Sequence, residues 1–203
     1  MIAIIDYDIG NVGAVANMFR RIGVRCTITA DPDVVASAAR IVLPGNGAFD
    51  ACMNKLRASG LLPTLERRVL GDRVPLLGIC VGAQILGRGS EEGTAPGLGW
   101  LEMDILRLPA HASLRVPHMG WDDVRVKKPA HLLAHRVAAD ARFYFSHSYF
   151  MQPAEAADVL LMSSYGIEFA AAVCRDNVAG VQFHPEKSHR FGRELLAAFA
   201  GVC

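Results

Sequence analysis

In the first 80 residues, short apolar runs alternate with amphipathic stretches. The apolar runs predict buried strands at residues 2–5, 26–29, 41–43 and 75–79. The amphipathic stretches predict helices at residues 12–22, 49–56 and 61–69, and Gly23 follows the first as a typical helix terminator. This β-α alternation predicts an α/β fold with an open, mostly parallel sheet and flanking helices on both faces.

The pattern changes after Gly99, where long amphipathic stretches disappear until the end of the chain. Strands are predicted at residues 100–108, 122–126, 143–145, 159–162, 170–174 and 179–183. We expect these strands to form an antiparallel or mixed extension of the sheet, and residues 188–200 to form a closing helix. No repeat, low-complexity tract or linker divides the sequence, so a single domain over residues 1–203 is expected.

Composition narrows the classes of function and site. The formal net charge is +1 without a basic block, so neither nucleic acid nor an anionic membrane is expected as a partner. Apolar runs fall short of the ~18 residues that predict a membrane span, and no basic leader precedes Ile2, so a cytoplasmic protein is expected. Five cysteines without C-x-x-C spacing predict reduced thiols, and His184 and His189 have poor spacing for metal ligands, so no metal site is expected.

One cysteine lies where a predicted strand turns into a helix. The sequence Gly78-Ile79-Cys80-Val81-Gly82 is a G-x-C-x-G turn that directly follows an apolar run. Such a turn exposes the cysteine, and the two glycines remove side chains that would block the backbone on either side. The N-terminus of a helix beginning at Val81 would favour the thiolate, and the Val81 N–H could hold an oxyanion.

A histidine and a carboxylate follow the last predicted strand, in Gln182-Phe183-His184-Pro185-Glu186-Lys187. His184 could transfer the proton of Cys80, and Glu186 could orient the imidazole ring. Taken separately, Cys80 could be a small buried apolar residue, and His-Pro-Glu could be a turn that ends a strand. Both motifs end strands of a sheet whose ligands bind at the carboxyl ends, so together they predict acyl transfer through a thioester.

At these residues the chain resembles class I glutamine amidotransferases, and more narrowly the glutaminase subunits of imidazole glycerol phosphate synthases. The similarity covers nearly the whole chain, and Pro-His-Met-Gly-Trp is the segment that points to this subfamily. The segments that carry it further are Asp6-Tyr7-Asp8-Ile9-Gly10-Asn11, Leu43-Pro44-Gly45-Asn46-Gly47-Ala48-Phe49, Pro117-His118-Met119-Gly120-Trp121 and Tyr144-Phe145-Ser146-His147-Ser148-Tyr149. The resemblance implies a flavodoxin-like fold.

The resemblance also implies a reaction, the hydrolysis of L-glutamine to glutamate and ammonia, and assigns roles to residues. Cys80 would be the nucleophile, His184 the general acid and base, and Glu186 the orienting residue. The Gly45–Asn46 peptide would supply the second oxyanion donor, beside Val81. Substrate contacts would come from Gly47, Gln84, Glu92, His147 and Ser148. No cofactor is implied.

Glutamine's charged groups need the residue types that this assignment provides. Its ammonium group needs a carboxylate, and its carboxylate needs hydrogen-bond donors, which Glu92 and the Ser146-His147-Ser148 segment offer. Two plainer interpretations remain open at this stage. Glu92 could be a solvated loop carboxylate, and the Ser-His-Ser segment could be the exposed face of a strand.

Four positions depart from the usual family pattern. Asn46 stands where Val is common, and Asn tolerates a positive φ better, so we expect a lower cost for flipping the Gly45–Asn46 peptide. Ala83 stands where Met is common, which predicts looser packing behind the turn. Asp8 replaces a common Gly and Asp122 a common Asn, both in segments that resemble the partner-facing side.

A separate partner chain is expected, because free ammonia would be protonated and lost. The sequence has no G-x-x-x-x-G-K-[ST] loop, and Asp8 replaces the first Gly of a dinucleotide fingerprint. The resemblance implies a (βα)₈-barrel cyclase that forms a heterodimer with this chain. Its contacts would include Asn11, Met119, Trp121 and Lys187, although Trp121 could instead pack in the core.

Three rival functions remain open from the sequence. Residues 186–192 also resemble paralogues that supply ammonia to sugar-amidating enzymes of surface-polysaccharide synthesis. A cysteine hydrolase or peptidase of the same superfamily is a second rival, and Gln84, Glu92 and the Pro-Gly-Asn-Gly loop argue against it. A catalytically silent regulatory subunit is the third, and the intact Cys80, His184 and Glu186 argue against that.

Overall fold

A computed structural model of the chain describes residues 1–109 and 114–201. The strands are β1 (Ile2–Ile5), β2 (Cys26–Thr29), β3 (Arg40–Gly45), β4 (Leu76–Cys80), β5 (Met103–Arg107), β6 (His118–Asp123), β7 (Arg125–Val126), β8 (Arg142–His147), β9 (Tyr149–Pro153), β10 (Val159–Tyr165), β11 (Ile167–Arg175) and β12 (Val178–Val181). The α-helices are α1 (Val12–Arg21), α2 (Pro32–Ser37), α3 (Phe49–Ala58), α4 (Leu62–Glu66), α5 (Val81–Gln84) and α6 (His189–Ala200). A π-helical turn follows α4 (Arg67–Gly71), and two 3₁₀ turns cover Ala156–Asp158 and Pro185–Lys187.

The central sheet has five parallel strands in the order β2-β1-β3-β4-β12. This is the flavodoxin-like order of a doubly wound sheet, and the predicted parallel architecture is confirmed. The chain moves first to one side of β1 and then to the other, so right-handed crossovers place the helices on opposite faces. On these faces α1 contacts α6, and α2 contacts α4.

The predicted antiparallel extension is also confirmed. Strand β11 pairs antiparallel with β12, and β10 then pairs with β11 and β7. Strands β9 and β5 continue from β11, and β6 and β8 form a separate antiparallel pair. Helix α2 and strand β9 are elements that the sequence pattern did not predict.

Local capping explains where the first helices begin. The Asn11 side chain accepts a hydrogen bond from the Ala14 N–H (3.3 Å), which satisfies one of the free donors at the start of α1. Asp31 does the same for α2 through the Asp33 N–H (2.8 Å), and Pro32 occupies the first helical position. Asn11, expected at the partner interface, therefore also has a structural role.

The apolar core continues from the parallel sheet into the extension. Phe143 of β8 stacks on Phe183, the residue before His184, with ring centroids 3.9 Å apart. Both rings are fully buried. Burial of a phenylalanine side chain contributes roughly 1.5–3 kcal/mol, so this contact firmly joins the β6–β8 pair to the end of β12. The segment that carries His184 is consequently held between the two sheets.

Candidate active site

Cys80 occupies a strained turn at the carboxyl end of β4. Its backbone has φ +54° and ψ −116°, outside the regions that a non-glycine residue normally adopts. Such conformations cost of order 1–3 kcal/mol and persist where the surroundings fix them. The helix begins at Val81 as predicted, and the buried Cys80 lies directly before it.

Glycines allow the close backbone approach around this turn. A Cβ atom on Gly82 would lie 2.0 Å from the Leu43 carbonyl oxygen, and one on Gly45 would lie 2.0 Å from the Gly82 nitrogen. A Cβ on Gly78 would lie 2.6 Å from the Ala83 Cα. The expectation that Gly78 and Gly82 keep the backbone unobstructed therefore has a direct steric basis, and Gly45 belongs with them.

Helix α5 is a single turn that ends at Gln84. Because so few peptide dipoles add up in one turn, its effect on Cys80 comes mainly from individual N–H groups rather than from a long-helix dipole. The first N–H groups of any helix lack intrahelical acceptors, and the Val81 N–H is the one adjacent to Cys80. Val81 is therefore placed where an oxyanion donor is needed.

His184 follows β12, which is the direct neighbour of β4 in the sheet. Its Nδ1 atom is 2.8 Å from Oε1 of Glu186, and both side chains are almost fully buried. Burial alone would lower the pKa of His184, but the Cys80 and Glu186 side chains overcome that effect and raise the pKa to about 9. An imidazolium at neutral pH, adjacent to Cys80, is the form that stabilises a thiolate.

Backbone contacts hold the His-Pro-Glu turn in place. The His184 N–H donates to the Tyr144 carbonyl (2.9 Å), and the Ser188 hydroxyl donates to the His184 carbonyl (2.6 Å). Ser188 Oγ also accepts the Tyr144 N–H (3.0 Å). Within the described residues, Glu186 Oε2 is a buried atom without a hydrogen-bond partner. Glu186 thus directs one oxygen at His184 and makes no competing bond.

The Pro44–Gly47 loop lies beside Cys80, because Gly45 is the register partner of Cys80 across β3 and β4. The buried Tyr7 hydroxyl donates to the Pro44 carbonyl (2.6 Å) and fixes the base of the loop. Gly47 has the left-handed φ of this loop (+88°), whereas Asn46 keeps a negative φ. The Asn46 side chain accepts the Gly47 N–H (2.9 Å), so in this state the amide stabilises the loop from within.

A cavity of about 210 Å³ opens in front of Cys80. Its size suits a single amino acid rather than a larger ligand. All five residues expected to contact substrate line this cavity, together with Cys80 and part of the Pro44–Gly47 loop. The lining residues are Asn46, Gly47, Cys80, Val81, Gln84, Glu92, Pro117, Ser146, His147, Ser148 and Tyr149. Pro117 and Tyr149 were not singled out from the sequence, because neither residue type carries chemistry that would identify it.

Glu92 is a structured residue rather than a freely solvated loop carboxylate. Its Oε2 atom accepts the Phe49 N–H (2.8 Å) at the start of α3. The next loop residues are fixed in the same way, since the Asp50 carboxylate accepts the N–H groups of Thr94 and Ala95 (both 3.0 Å). Glu92 therefore lines the cavity with a carboxylate that one hydrogen bond holds in position.

Gln84 and His147 line the cavity with side chains that are already engaged elsewhere. The Gln84 amide nitrogen donates to the Tyr149 carbonyl (2.9 Å) and to Gln182 Oε1 (3.1 Å). The His147 ring contacts His118 through Nε2 (3.0 Å) and the Tyr149 carbonyl through Nδ1 (2.9 Å). Toward a ligand, Gln84 can offer its carbonyl oxygen, and His147 can offer backbone groups.

The expected interface residues lie on the surface near the same end of the sheet. The side chains of Met119 and Trp121 are 62% and 36% exposed, and Asn11 and Lys187 are also exposed. The Trp121 ring stacks on His189 at 5.3 Å, and the Lys187 ammonium lies over the Tyr144 ring at 5.5 Å. Core packing, the alternative for Trp121, does not describe a side chain with this exposure.

A larger cavity, of about 360 Å³, lies at the opposite end of the strands. It is lined mainly by apolar groups near the beginnings of β3, β4 and β12. Burial raises the pKa of Cys174 in this cavity to about 11, so that thiol is a poor nucleophile. The chemistry of the chain is therefore concentrated at the carboxyl ends of the strands.

Within residues 1–109 and 114–201, no helix has the length and apolar character needed to span a bilayer. In the same ranges, no group of three or more His, Cys, Asp or Glu side chains is arranged to hold a metal ion.

Comparison with known proteins gives a consistent family. The family model "Glutamine amidotransferase class-I" matches residues 3–201. The chain is 46% identical over 199 residues to imidazole glycerol phosphate synthase subunit HisH 2 of Pseudomonas aeruginosa, covering 98% of both chains. It is 44% identical over 205 residues to subunit HisH of Bdellovibrio bacteriovorus, covering 100% of both.

Solved structures agree at the level of the fold. A crystal structure of a glutamine amidotransferase superimposes with a TM-score of 0.75 at 20% identity, covering 100% of both chains. This likeness supports the doubly wound architecture described above. On the strength of the full-length sequence matches, the chain belongs to the class I glutamine amidotransferases, within the group of HisH subunits of imidazole glycerol phosphate synthase.

Proposed function

We propose that this chain is a glutaminase subunit that hydrolyses L-glutamine to glutamate and ammonia and delivers the ammonia to a (βα)₈-barrel cyclase. The cyclase would use it to make imidazole glycerol phosphate in histidine biosynthesis. The observation that carries the proposal is Cys80 on its strained turn, next to the His184–Glu186 pair and facing a cavity of amino-acid size. We assign residues 1–203 to one glutamine amidotransferase domain.

Binding of glutamine follows from the charges around the cavity. Glu92 would accept the α-ammonium group with the oxygen not used by Phe49. Backbone N–H groups of Gly47, His147 and Ser148, which line the same cavity, would hold the α-carboxylate. The side-chain amide would then extend toward Cys80, with the Gln84 carbonyl oxygen available to its N–H₂ group.

The reaction would proceed through a covalent thioester. The Cys80 sulfur attacks the amide carbon, and the oxygen of the tetrahedral intermediate is held by the N–H groups of Val81 and of a flipped Gly45–Asn46 peptide. His184 donates its proton to the leaving nitrogen, and the carbon–nitrogen bond breaks to release ammonia. Water then attacks the thioester, His184 takes its proton, and glutamate leaves with the thiolate restored.

Ammonia transfer would require a partner, because free ammonia would be protonated at neutral pH and lost by diffusion. We assign the partner surface to Asn11, Met119, Trp121 and Lys187, which are exposed at the end of the sheet that carries Cys80. Exposed methionine and tryptophan are typical anchors of protein interfaces. The free thiols Cys26, Cys52 and Cys174 suit a reducing compartment, so we place the reaction in the cytoplasm.

The test is glutamate release by the purified chain, alone and with a histidine-pathway cyclase plus its nucleotide ligand. The proposal predicts slow hydrolysis alone and strong stimulation by the cyclase. Cys80→Ala should abolish glutamine-dependent synthesis but leave synthesis from added ammonia. Glutaminase activity that only a sugar-amidating enzyme stimulates would contradict the proposed pathway. Retained glutaminase activity in Cys80→Ala would contradict the assignment of the nucleophile.

A further inference from the structure

A continuous row of hydrogen-bonding groups runs from the surface of β6 to the wall of the cavity in front of Cys80. Asp122 Oδ2 lies 2.5 Å from His118 Nε2, and His118 Nδ1 lies 3.0 Å from His147 Nε2. His147 Nδ1 lies 2.9 Å from the Tyr149 carbonyl oxygen. The two histidines are register partners across β6 and β8. We call Asp122, His118 and His147 the histidine row.

The number of protons needed by the histidine row follows from its chemistry. A carboxylate and a carbonyl can only accept, so the two ends of the row supply no proton. Three hydrogen bonds in sequence therefore need three protons on the two imidazole rings. Two neutral imidazoles carry only two protons, and the third bond forms only when one ring becomes an imidazolium.

The surroundings identify His118 as the ring that takes the additional proton. It lies directly beside the Asp122 carboxylate, and it stacks between Tyr165 (3.9 Å) and Phe145 (4.9 Å), whose faces attract a cation. Burial lowers the pKa of His118, and the bond to Asp122 opposes that lowering. Burial, reinforced by His118, lowers the pKa of His147 to about 3, which keeps that ring neutral.

Few other titratable groups face the row. On β10, Tyr165 directs its hydroxyl away from His118 to the Arg115 carbonyl (2.7 Å). On β11, Phe169 faces both rings without a charge. Outside the row, His184, which follows β12, is a titratable group whose charge also lowers the pKa of His147. Its own pKa of about 9 keeps His184 protonated throughout the range in which His118 titrates.

We propose that Asp122 and His118 are positioning residues for the glutamine pocket, and that the row holds the pocket wall fully only when it has taken up one additional proton. In the protonated row, His118 donates to both Asp122 and His147, and His147 donates to the Tyr149 carbonyl. This proposal deepens the proposed function and rests on it, because the wall at Ser148 and Tyr149 belongs to the same cavity.

Loss of the additional proton has a defined consequence. The His118 Nε2–H keeps its short bond to the charged Asp122, so His118 Nδ1 becomes an acceptor. His147 must then donate through Nε2, and its Nδ1 lone pair faces the Tyr149 carbonyl without a proton between them. The Tyr149 carbonyl retains only the bond from Gln84. The wall therefore loses one hydrogen bond as the pH rises through the His118 pKa, below about 6.5.

Asparagine at position 122 would remove the need for an additional proton on the two histidine rings. Its side-chain N–H₂ can donate to His118 Nε2, so that two neutral histidines complete all three hydrogen bonds. Asp122→Asn should therefore keep His147 in the form that donates to Tyr149 at every pH. Asp123→Asn is the matched control, because this substitution removes the same charge from the opposite face of β6. There the Asp123 carboxylate pairs with Arg142.

The first arm of the test is nitrogen-15 NMR of the histidine rings between about pH 5 and 8, which does not depend on enzymatic activity. The proposal predicts that His118 changes from imidazolium to neutral and that the proton of His147 moves from Nδ1 to Nε2 in the same transition. Asp122→Asn should abolish the transition, and Asp123→Asn should retain it. Identical titrations in Asp122→Asn and the parent chain would overturn the proposal.

The second arm is the glutamine KM over the same pH range. Losing one wall hydrogen bond should raise KM about fivefold as pH rises through the His118 transition seen by NMR in the parent chain, and the KM of Asp122→Asn should stay low throughout. His118→Phe keeps the aromatic stack but should show the high KM at every pH. If the NMR transition occurs and KM does not follow it, the positioning role is wrong while the proposed function stands. If no variant turns over glutamine, the proposed function fails and the NMR arm alone decides the protonation of the row.

Discussion

Gly82→Ala should separate Cys80, the proposed nucleophile, from the loop that we propose as its oxyanion donor. The added Cβ would lie 2.0 Å from the Leu43 carbonyl oxygen, 2.8 Å from the Pro44 carbonyl carbon and 2.9 Å from the Gly45 nitrogen. In proteins, Cβ atoms essentially never come closer than 3.0 Å to non-bonded heavy atoms. Strand β3 and helix α5 must therefore move apart by about 1 Å. All three contacts are with backbone, which cannot rotate away.

The displacement changes the distances from the Cys80 sulfur to the two proposed oxyanion donors. Gly45 and Cys80 are register partners, so a shift at Gly82 moves the Val81 N–H and the Gly45–Asn46 peptide relative to the sulfur. A misplacement of about 1 Å can cost roughly 100-fold in rate, and overpacking of this kind costs about 1–3 kcal/mol in the free energy of unfolding. The assays are kcat for glutamine hydrolysis and urea denaturation.

Gly13→Ala is the matched control, since it adds the same methyl group to a helix where nothing lies within 4 Å. It should stabilise the chain by no more than about 1 kcal/mol, since Gly13 lies in the first turn of α1, and leave kcat unchanged. Should Gly82→Ala not fold, Gly180→Ala gives a milder push on the turn, because the closest contact of its Cβ is the Ala83 methyl at 2.8 Å and the next is Val173 Cγ2 at 3.4 Å. If Gly82→Ala is as stable and as active as the parent chain, the reasoning about the close backbone approach is refuted.

Two further predictions concern the chemistry. The pKa of His184 is raised from 6.5 to about 9, so the stability from this pair is fully present below about pH 6.5 and is lost as pH rises through about 9. The folded enzyme loses the imidazolium only near the raised pKa, so kcat/KM should fall as pH rises through about 9. Glu186→Gln should move the fall in kcat/KM to lower pH, and identical pH profiles would contradict the role of Glu186. Asn46→Val should reduce partner-independent glutamine hydrolysis several-fold, because a flipped Gly45–Asn46 peptide requires a φ that a β-branched residue resists; an unchanged kcat would refute this.

Much of the fold was predictable because its signals are local. The parallel strands are apolar runs bounded by turn residues, so β1, β2 and β4 were placed within a residue or two of their observed ends. The turn at Cys80 was also predictable, because Gly78 and Gly82 lie two residues before and after the cysteine; its strained φ and ψ were seen only in the structure. The positive φ of Asp8 (+61°) likewise accounts for the glycine that is common at this position in the family.

Other features depend on distant parts of the chain. Only Ser148 separates strand β9 from β8, so no turn signal divides the two strands in the sequence. Pro153 at the end of β9 also argues against a strand there, because proline is rare in sheets. The histidine row depends on the register that places His118 opposite His147, which no local pattern specifies. The bond from Glu92 to the start of α3 depends in the same way on tertiary packing.

The position of Asp122 shows how a small departure from a family pattern gains meaning from the structure. From the sequence, the aspartate in place of a common asparagine was only assigned to a segment that resembles the partner-facing side. In the structure the carboxylate hydrogen-bonds to the buried His118 while its side chain is still 37% exposed, and its neighbours Met119 and Trp121 lie on the other face of β6. The change therefore concerns the proton content of the pocket wall more directly than the identity of the partner.

The most direct test of the central claim is to find where glutamine becomes attached. The chain would be mixed with glutamine, quenched in acid during turnover and mapped by mass spectrometry. The account predicts a γ-glutamyl thioester on the peptide that contains Cys80 and none in Cys80→Ala, because burial raises the pKa of Cys52 to about 11 and keeps that nearby thiol inert. Turnover without any adduct, or an adduct on Cys52 instead, would contradict the mechanism.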